Sequence, residues 1–203
     1  MDLNPELHRI TRNEVPEAGI CLVNAFLQDP FAQCLIPHGP DRRKHLRDLF
    51  RFMARYGMHY GHVFSTSQKT RDISIWYHSD YLKVNFFKAF RSGYFNFLFK
   101  APPYLAQRFK QLAKEVGKYH SELIDVPHIY LNVLGVAPEY QNRGRGSAHL
   151  KKVLDIVNEQ QLSCYLESFN EKNLEFYKRF GFQVLKEFRV LGKQVWGMKK
   201  LPE

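Results

Sequence analysis

Cysteine is scarce in this sequence. Only Cys21, Cys34 and Cys164 occur, far apart and without any Cys-x-x-Cys pair. That excludes a disulfide framework, suits a reducing cytoplasm and leaves no metal site to expect. Long apolar runs are missing as well, and none approaches the roughly 20 residues that a helix needs to cross a bilayer. The opening "MDLNPELHRITRNEVPE" is polar and acidic, so no secretory leader is expected. Low-complexity tracts, internal repeats and obvious linkers are absent. Acidic charge is in deficit: 20 Asp and Glu against 30 Lys and Arg leave a net charge of +10. The bases are dispersed rather than gathered into a tail or stripe, which reads as a solvated basic surface. A nucleic-acid partner would need a supporting fold motif, and none is found.

What is present is a chain of 203 residues, 44% hydrophobic and 15% aromatic, long enough to bury a core. It is expected to form a single domain over 1–203, with an N-terminal part at 1–126 and a second part at 127–200. "ELHRITR" reads as a short strand, and a helix is expected from Glu14 to about Gln28. From Asp41 to about Tyr60 the residues Leu46, Leu49, Phe50 and Met53 recur at the spacing of one helix face. "HVFSTSQ" and "DISIWYH" read as two strands. Then comes an aromatic-rich helical stretch holding Tyr81, Phe86, Phe87, Phe90, Tyr94, Phe95, Phe97 and Phe99. Eight rings exceed what one helix face hides, so core plus the wall of an acceptor cleft is the reading, against a membrane-interface or partner-binding helix. A further helix carries Leu105, Phe109, Leu112 and Val116 on one side.

The last third is more regular. "HIYLNVLGV" is a strand, and "SAHLKKVLDIVNEQ" is a helix with Leu150, Val153, Leu154 and Val157 at i, i+3, i+4 and i+7. "LSCYLES" is a buried strand, followed by a short helix with Asn170 as its N-cap and Gly181 beyond its end. Two strands, "FQVLKEFRV" and "KQVWGMKK", turn around Gly192. The order predicts a mixed α/β (α+β) sheet covered by helices. Between the strand and the first of these helices lies "GVAPEYQNRGRGSAHL". Gly144 and Gly146 clear side chains from a helix N-terminus, where unpaired N–H groups and the macrodipole favour an anion. No Gly-Lys-Ser/Thr follows and the third glycine of a dinucleotide fingerprint is missing, so neither nucleotide motif applies.

The form Val-x-Pro-x-x-Gln-x-x-Gly-x-Gly before an amphipathic helix resembles the acetyl-CoA-binding motif of the GNAT N-acetyltransferase superfamily. Downstream, "YLESFNEKNLEFYKRFGF" is similar to that superfamily's closing strand and helix, with its Asn-x-x-x-Tyr pair. The two segments most resemble the puromycin N-acetyltransferase-type branch and cover roughly Pro127 to Lys200. The resemblance implies a mostly antiparallel sheet of six to seven strands, with the aromatic-rich helices inserted before the cofactor-binding strand. It implies acetyl-CoA as cosubstrate, bound by the loop at Gln141 and Asn142 and with its pyrophosphate held by the amides from about Arg143 through Gly144, Arg145 and Gly146 to Ser147. Main-chain groups of Leu134 and Val136 would bond the pantetheine arm, and the Val136 amide would polarise the thioester carbonyl. Asn173 and Tyr177 share a helix face; by resemblance Asn173 contacts the arm and Tyr177 protonates the departing sulfur.

The general base stays open. On a regular strand His128, Tyr130 and Asn132 point one way, and Ile129, Leu131 and Val133 the other. The strand therefore offers Tyr130 and Asn132 where many superfamily members carry a carboxylate or histidine. A water relayed through either residue, a base such as His128 or Glu167, or an amine neutral on arrival would each serve. The expected activity is direct acetyl transfer to a primary amine, of a small molecule first and of a peptide or protein second. A sensor that binds acetyl-CoA without catalysis is the reading outside that class. No membrane span is expected, and a homodimer is left open.

Overall fold

A computed structural model describes Leu3, residues 6–82 and residues 86–203, with Phe86 and Ala89 described by backbone alone. Seven strands form one sheet: β1 (His8–Arg9), β2 (His62–Ser65), β3 (Asp72–His78), β4 (His128–Val136), β5 (Ser163–Ser168), β6 (Gln183–Val190) and β7 (Lys193–Lys200). Their spatial order is β1-β2-β3-β4-β5-β7-β6. Only the central β4–β5 pair is parallel; the other neighbours run antiparallel. The helices are α1 (Val15–Phe26), α2 (Pro30–Leu35), α3 (Arg42–Tyr60), α4 (Phe86–Arg91), α5 (Tyr94–Lys100), α6 (Pro103–Leu123), α7 (Arg145–Glu159) and α8 (Leu174–Lys178). The mixed, mostly antiparallel sheet flanked by helices is the architecture expected from the sequence.

Strand alternation divides the core into two layers. On β3, Ile73, Ile75 and Tyr77 face the layer of α1, α3 and α6, whereas Trp76 faces the layer of α7 and α8. On β5, Tyr165 faces the first layer and Cys164 and Leu166 the second. β4 obeys the rule only in part. Its register against β3 runs Trp76↔Leu131 and then Ile75↔Val133, so Asn132 is the extra residue of a bulge. The bulge shifts the alternation by one. Val133 joins Tyr130 in the α1–α3 layer, contrary to the regular-strand expectation that it would share the face of Leu131.

Other departures have local causes. β1 is two residues long rather than seven. The helix expected from Glu14 to Gln28 ends at Phe26, because Asp29 caps a new helix: its carboxylate accepts from the Phe31 amide at 2.9 Å and Pro30 occupies the first turn. The aromatic stretch breaks between α4 and α5 at Gly93, whose φ of +79° favours glycine. Phe97 is core, but Phe87, Phe90 and Phe99 are 66%, 64% and 90% exposed, so this stretch is hidden only in part. The side chain of Phe86 lies outside the described residues.

Gly135 lets α1 approach β4 closely. A Cβ built there would lie 2.8 Å from Leu22 Cδ2 and 2.9 Å from Phe26 Cε2. Gly135→Ala is therefore expected to destabilise the protein by about 1–3 kcal/mol through overpacking. Chemical denaturation checks this, and an unchanged midpoint would mean that α1 yields freely.

Candidate functional site

The parallel pairing of β4 with β5 runs from His128↔Ser163 to Leu131↔Leu166 and then stops. Beyond that point Asn132–Val136 keeps β3 on one side and leaves its other edge unpaired by β5. Main-chain polar groups are rarely left without partners, so this central gap can accept an extended ligand as a strand would. The gap opens on a cavity of about 580 Å³ whose lining includes Asn132, Leu134, Glu167, Asn173 and Tyr177. Aromatic rings form much of its wall, among them Phe31 from α2, Phe52 and Tyr56 from α3, Tyr94 and Phe95 from α5, and Phe109 from α6. Part of the aromatic stretch thus does line a cleft. Asp29 also borders the cavity, and its Oδ2 accepts from Asn170 Nδ2 at 3.2 Å.

At the far end of β4 the chain turns into α7. Gly144 is the N-cap of that helix at a φ of +73°, and Asn142 also adopts a left-handed conformation at +58°. The helix's first backbone bond links the Ala148 amide to Gly144 O, which leaves Arg145, Gly146 and Ser147 as its first three amides. Gln141 braces the turn by donating from Nε2 to Val136 O at 2.9 Å. Gln141, Asn142 and Arg143 are exposed, while Gly146 and Ser147 are half-buried. Arg145 departs from expectation: its guanidinium turns inward, donating to Thr66 Oγ1 at 2.9 Å and meeting Asp72 Oδ2 at 3.4 Å. Spent on these partners, it braces the loop instead of adding a free charge.

Beneath this loop lies a Ser-His-Asp set that the motif search did not single out. His149 Nδ1 bonds Asp72 Oδ1 at 2.7 Å and its Nε2 bonds Ser74 Oγ at 2.6 Å. Trp76 Nε1 in turn donates to Ser74 Oγ at 2.6 Å. The residue types suit nucleophilic catalysis, but Ser74, His149 and Asp72 are all 0% exposed, so no substrate reaches them. Their work is structural: they tie α7 to β3. Burial alone would raise the Asp72 carboxyl, yet bonds from His149 and Thr66 outweigh it and hold it below its ordinary value.

The titratable groups in and beside the cavity come from four elements. Tyr130 Oη on β4 donates to Glu167 Oε2 on β5 at 2.6 Å, and Asn132 Nδ2 donates to Tyr130 Oη at 3.2 Å. The Glu167 side chain is 3% exposed. Burial, followed by the charge and hydrogen bond of Glu167, pushes the Tyr130 hydroxyl well above its usual value. Burial also pushes Tyr177 up, helped by Asp29 and Cys164. His120, from α6, places Nδ1 3.4 Å from Glu167 Oε1 and pairs through Nε2 with His128 Nε2 at 2.8 Å. The fold thus unites Tyr130, Asn132, Glu167, Asn173 and Tyr177 around one cavity, with the glycine loop at the other end of β4. Sequence reasoning missed His120, which lies in an amphipathic helix far from any motif and offers no local signal.

These features define a class: an α/β fold with a gap between two splayed central strands, an anion-ready helix N-terminus at one end of it and an aromatic-walled cavity at the other. Residues 72–182 match the acetyltransferase (GNAT) family, and the chain belongs to it. It is an acetyl-CoA-dependent N-acetyltransferase by that membership. In fold it is similar to the histone acetyltransferase HPA2 and related acetyltransferase from Corynebacterium glutamicum, at 19% identity and a TM-score of 0.66, covering 98% of this chain and 97% of that one. A Pyrococcus horikoshii protein shares the fold at 13% identity and a TM-score of 0.59, covering 98% and 96%. Naa20 of Chaetomium thermophilum, solved with a bisubstrate analogue, aligns at 14% identity and a TM-score of 0.50, covering 96% and 85%.

Asp72→Ala removes the partner of a buried histidine and of Arg145 together. The expected cost is about 3–5 kcal/mol, read as a lowered melting temperature. The depressed Asp72 carboxyl contributes stability above its unfolded-state value, and this is lost as pH falls through the folded one. The variant's deficit should therefore shrink below about pH 4, and a pH-independent deficit would contradict the ionised pair.

Proposed function

We propose that this enzyme moves the acetyl group of acetyl-CoA directly onto the primary amine of a small molecule with an apolar body. One observation carries the reading: the β4–β5 gap borders a half-open, aromatic-walled cavity lined by Glu167 and Tyr130. The residues present suit the cosubstrate. The amides of Arg145, Gly146 and Ser147, opened by the left-handed Gly144, provide a seat for a pyrophosphate. The unpaired edge of β4 from Asn132 to Val136, including Leu134, provides main-chain partners for a pantetheine arm. When bound, acetyl-CoA supplies an activated acyl group.

The chain's own residues then handle protons and position. Asp29 and Glu167 give the cavity acidic groups that attract an ammonium, and the aromatic walls take its apolar body. The Tyr130 hydroxyl is held protonated, so it hands on a proton rather than keeping an extra one. Glu167, bonded to it at 2.6 Å, is the group on which the amine's proton comes to rest. Asn132, set out of register by the bulge, orients Tyr130 from the other side. Tyr177, kept protonated by burial, would be the hydroxyl available to the departing thiolate, with solvent returning its proton afterwards. Its one-turn neighbour Asn173 lines the same wall. The acceptor class follows from the wall chemistry: compact alkyl or arylalkyl amines fit better than polyamines or extended peptides.

A screen of amines with free-thiol detection tests this. Thiol release with apolar primary amines is expected; release with peptides alone would move the acceptor to that class. A rise in melting temperature with acetyl-CoA, together with no release from any amine, would favour a sensor. Tyr177→Phe should lower kcat about 10²–10⁴-fold with little change in acetyl-CoA affinity, and an unaltered kcat would remove it as the acid.

A further inference from the structure

Buried polar groups outside the motif-bearing residues converge on Glu167 from α6. His128 is 3% exposed and His120 8% exposed, so solvent does not satisfy them. His128 Nδ1 lies 2.7 Å from Val126 O. A carbonyl can only accept, so Nδ1 carries the hydrogen. Burial, aided by His120, His78 and Lys199, drives the His128 ring down to about 4, which makes it neutral near pH 7. Its Nε2 is then bare and accepts. His120 Nε2, 2.8 Å away, must donate.

That leaves His120 Nδ1, 3.4 Å from Glu167 Oε1. Among the described residues Glu167 Oε1 is buried without a well-aligned hydrogen-bond donor, the nearby and equally buried Tyr165 hydroxyl being the other candidate besides His120, while Oε2 is taken by Tyr130. A neutral His120 would present a lone pair to this orphaned carboxylate oxygen, two electron-rich atoms in a dry site. One further proton on Nδ1 removes both problems. The resulting imidazolium lies among aromatic rings, with centroids 4.7 Å from Tyr130 and 4.5 Å from Tyr165. The groups facing Glu167 are thus Tyr130 from β4, His120 from α6 and Tyr165 from its own strand. Burial, with the charge of Glu167, pushes the Tyr165 hydroxyl up, so Tyr165 stays neutral.

We propose that His120 and His128 are positioning residues for Glu167: His128, fixed as the Nδ1–H tautomer by Val126, compels His120 to donate through Nε2, so the His120–Glu167 pair holds one proton in the resting enzyme. The inference rests on the acetyl-transfer reading for its consequence, though not for its structure. A buried glutamate without a cation beside it favours its neutral acid form. A proton on His120 Nδ1 gives the buried Glu167 carboxylate a facing donor, which positions it to receive the amine's proton. When that proton leaves the amine nitrogen, the Tyr130 hydroxyl takes it up and passes its own to Glu167 Oε2. His120 keeps its proton throughout.

The test has two arms. The first uses the full chain without cosubstrate and reads imidazole nitrogens by ¹⁵N NMR, with His120→Asn and His128→Asn as assignment variants. Expected is His128 protonated at Nδ1 and bare at Nε2, with His120 protonated at Nε2. A bare His120 Nε2 would overturn the proposal. The second arm compares pH profiles of kcat/KM. In His120→Leu the acid limb should move to higher pH, so activity lost at the lower end of the profile returns in base. His128→Leu, which lets neutral His120 donate from Nδ1, should move it less. His120→Asn, a neutral donor, should bind acetyl-CoA normally and show the shift if the leucine variant does not fold. A uniform loss at every pH would mean a purely structural role. If the wild-type chain acetylates no amine, the functional reading fails while the nitrogen spectra still decide the proton's place.

Discussion

The interaction on which the structure turns is a pairing that stops. β4 and β5 lie at the middle of the sheet, where a backbone N–H or carbonyl without a partner is costly, and yet their ladder ends at Leu131↔Leu166. The bulge at Asn132 contributes, because the extra residue re-aims β4 while it stays paired with β3. Everything that makes the site useful follows from that interruption. The gap leaves a strand edge of the kind the proposed cosubstrate would use, and it borders the cavity. It also brings Tyr130, Asn132 and Glu167 to the rim without placing them on mobile loops.

Holding two strands apart needs bracing on both sides. On the α7 side this falls to the Asp72–His149–Ser74–Trp76 network, in which each hydrogen finds an acceptor and all four residues are fully buried. A partly satisfied network would be worse than an apolar contact; a complete one fixes α7 against β3 and so fixes the glycine turn. Arg145 extends the brace to β2–β3 through Thr66 and Asp72. On the opposite face, Asp29 caps α2 and accepts from Asn170 next to α8, tying the acceptor wall to the wall that carries Tyr177.

Legibility in the sequence tracked locality. The β3 segment "DISIWYH", the β4 segment "HIYLNVLGV" and the helices α3 and α7 were readable because periodicity is a property of consecutive residues. The glycine turn into α7 was readable because a helix N-terminus and its glycines are neighbours in sequence. The facing of Val133 was not, since a bulge depends on the partner strand as much as on the strand itself. The helix expected to reach Gln28 ends at Phe26, a break missed because the competing signal, Asp29 capping the next helix, needs only two residues. His120 was silent altogether. It sits 47 positions from Glu167, and what gives it meaning is α6 crossing the sheet at His128, a contact that no local pattern encodes.

The same contrast bears on how a base can be chosen among Tyr130, Asn132, His128 and Glu167. Residue type alone leaves them level, since each appears in proton-transfer chemistry. Hydrogen-bond direction separates them. Asn132 has only an amide to offer and is already donating. His128 has its Nδ1 hydrogen committed to Val126 and its Nε2 lone pair to His120, so it faces away from the cavity. Tyr130 is more basic as a phenolate than its neighbour is as a carboxylate, and burial keeps it protonated. Glu167 alone combines a carboxyl group, a short bond to a cavity hydroxyl and an imidazole behind it, which is why the proposal rests on it. The assignment comes from eliminating groups whose protons are already committed, and it requires that the committing partners be buried enough to have no alternative.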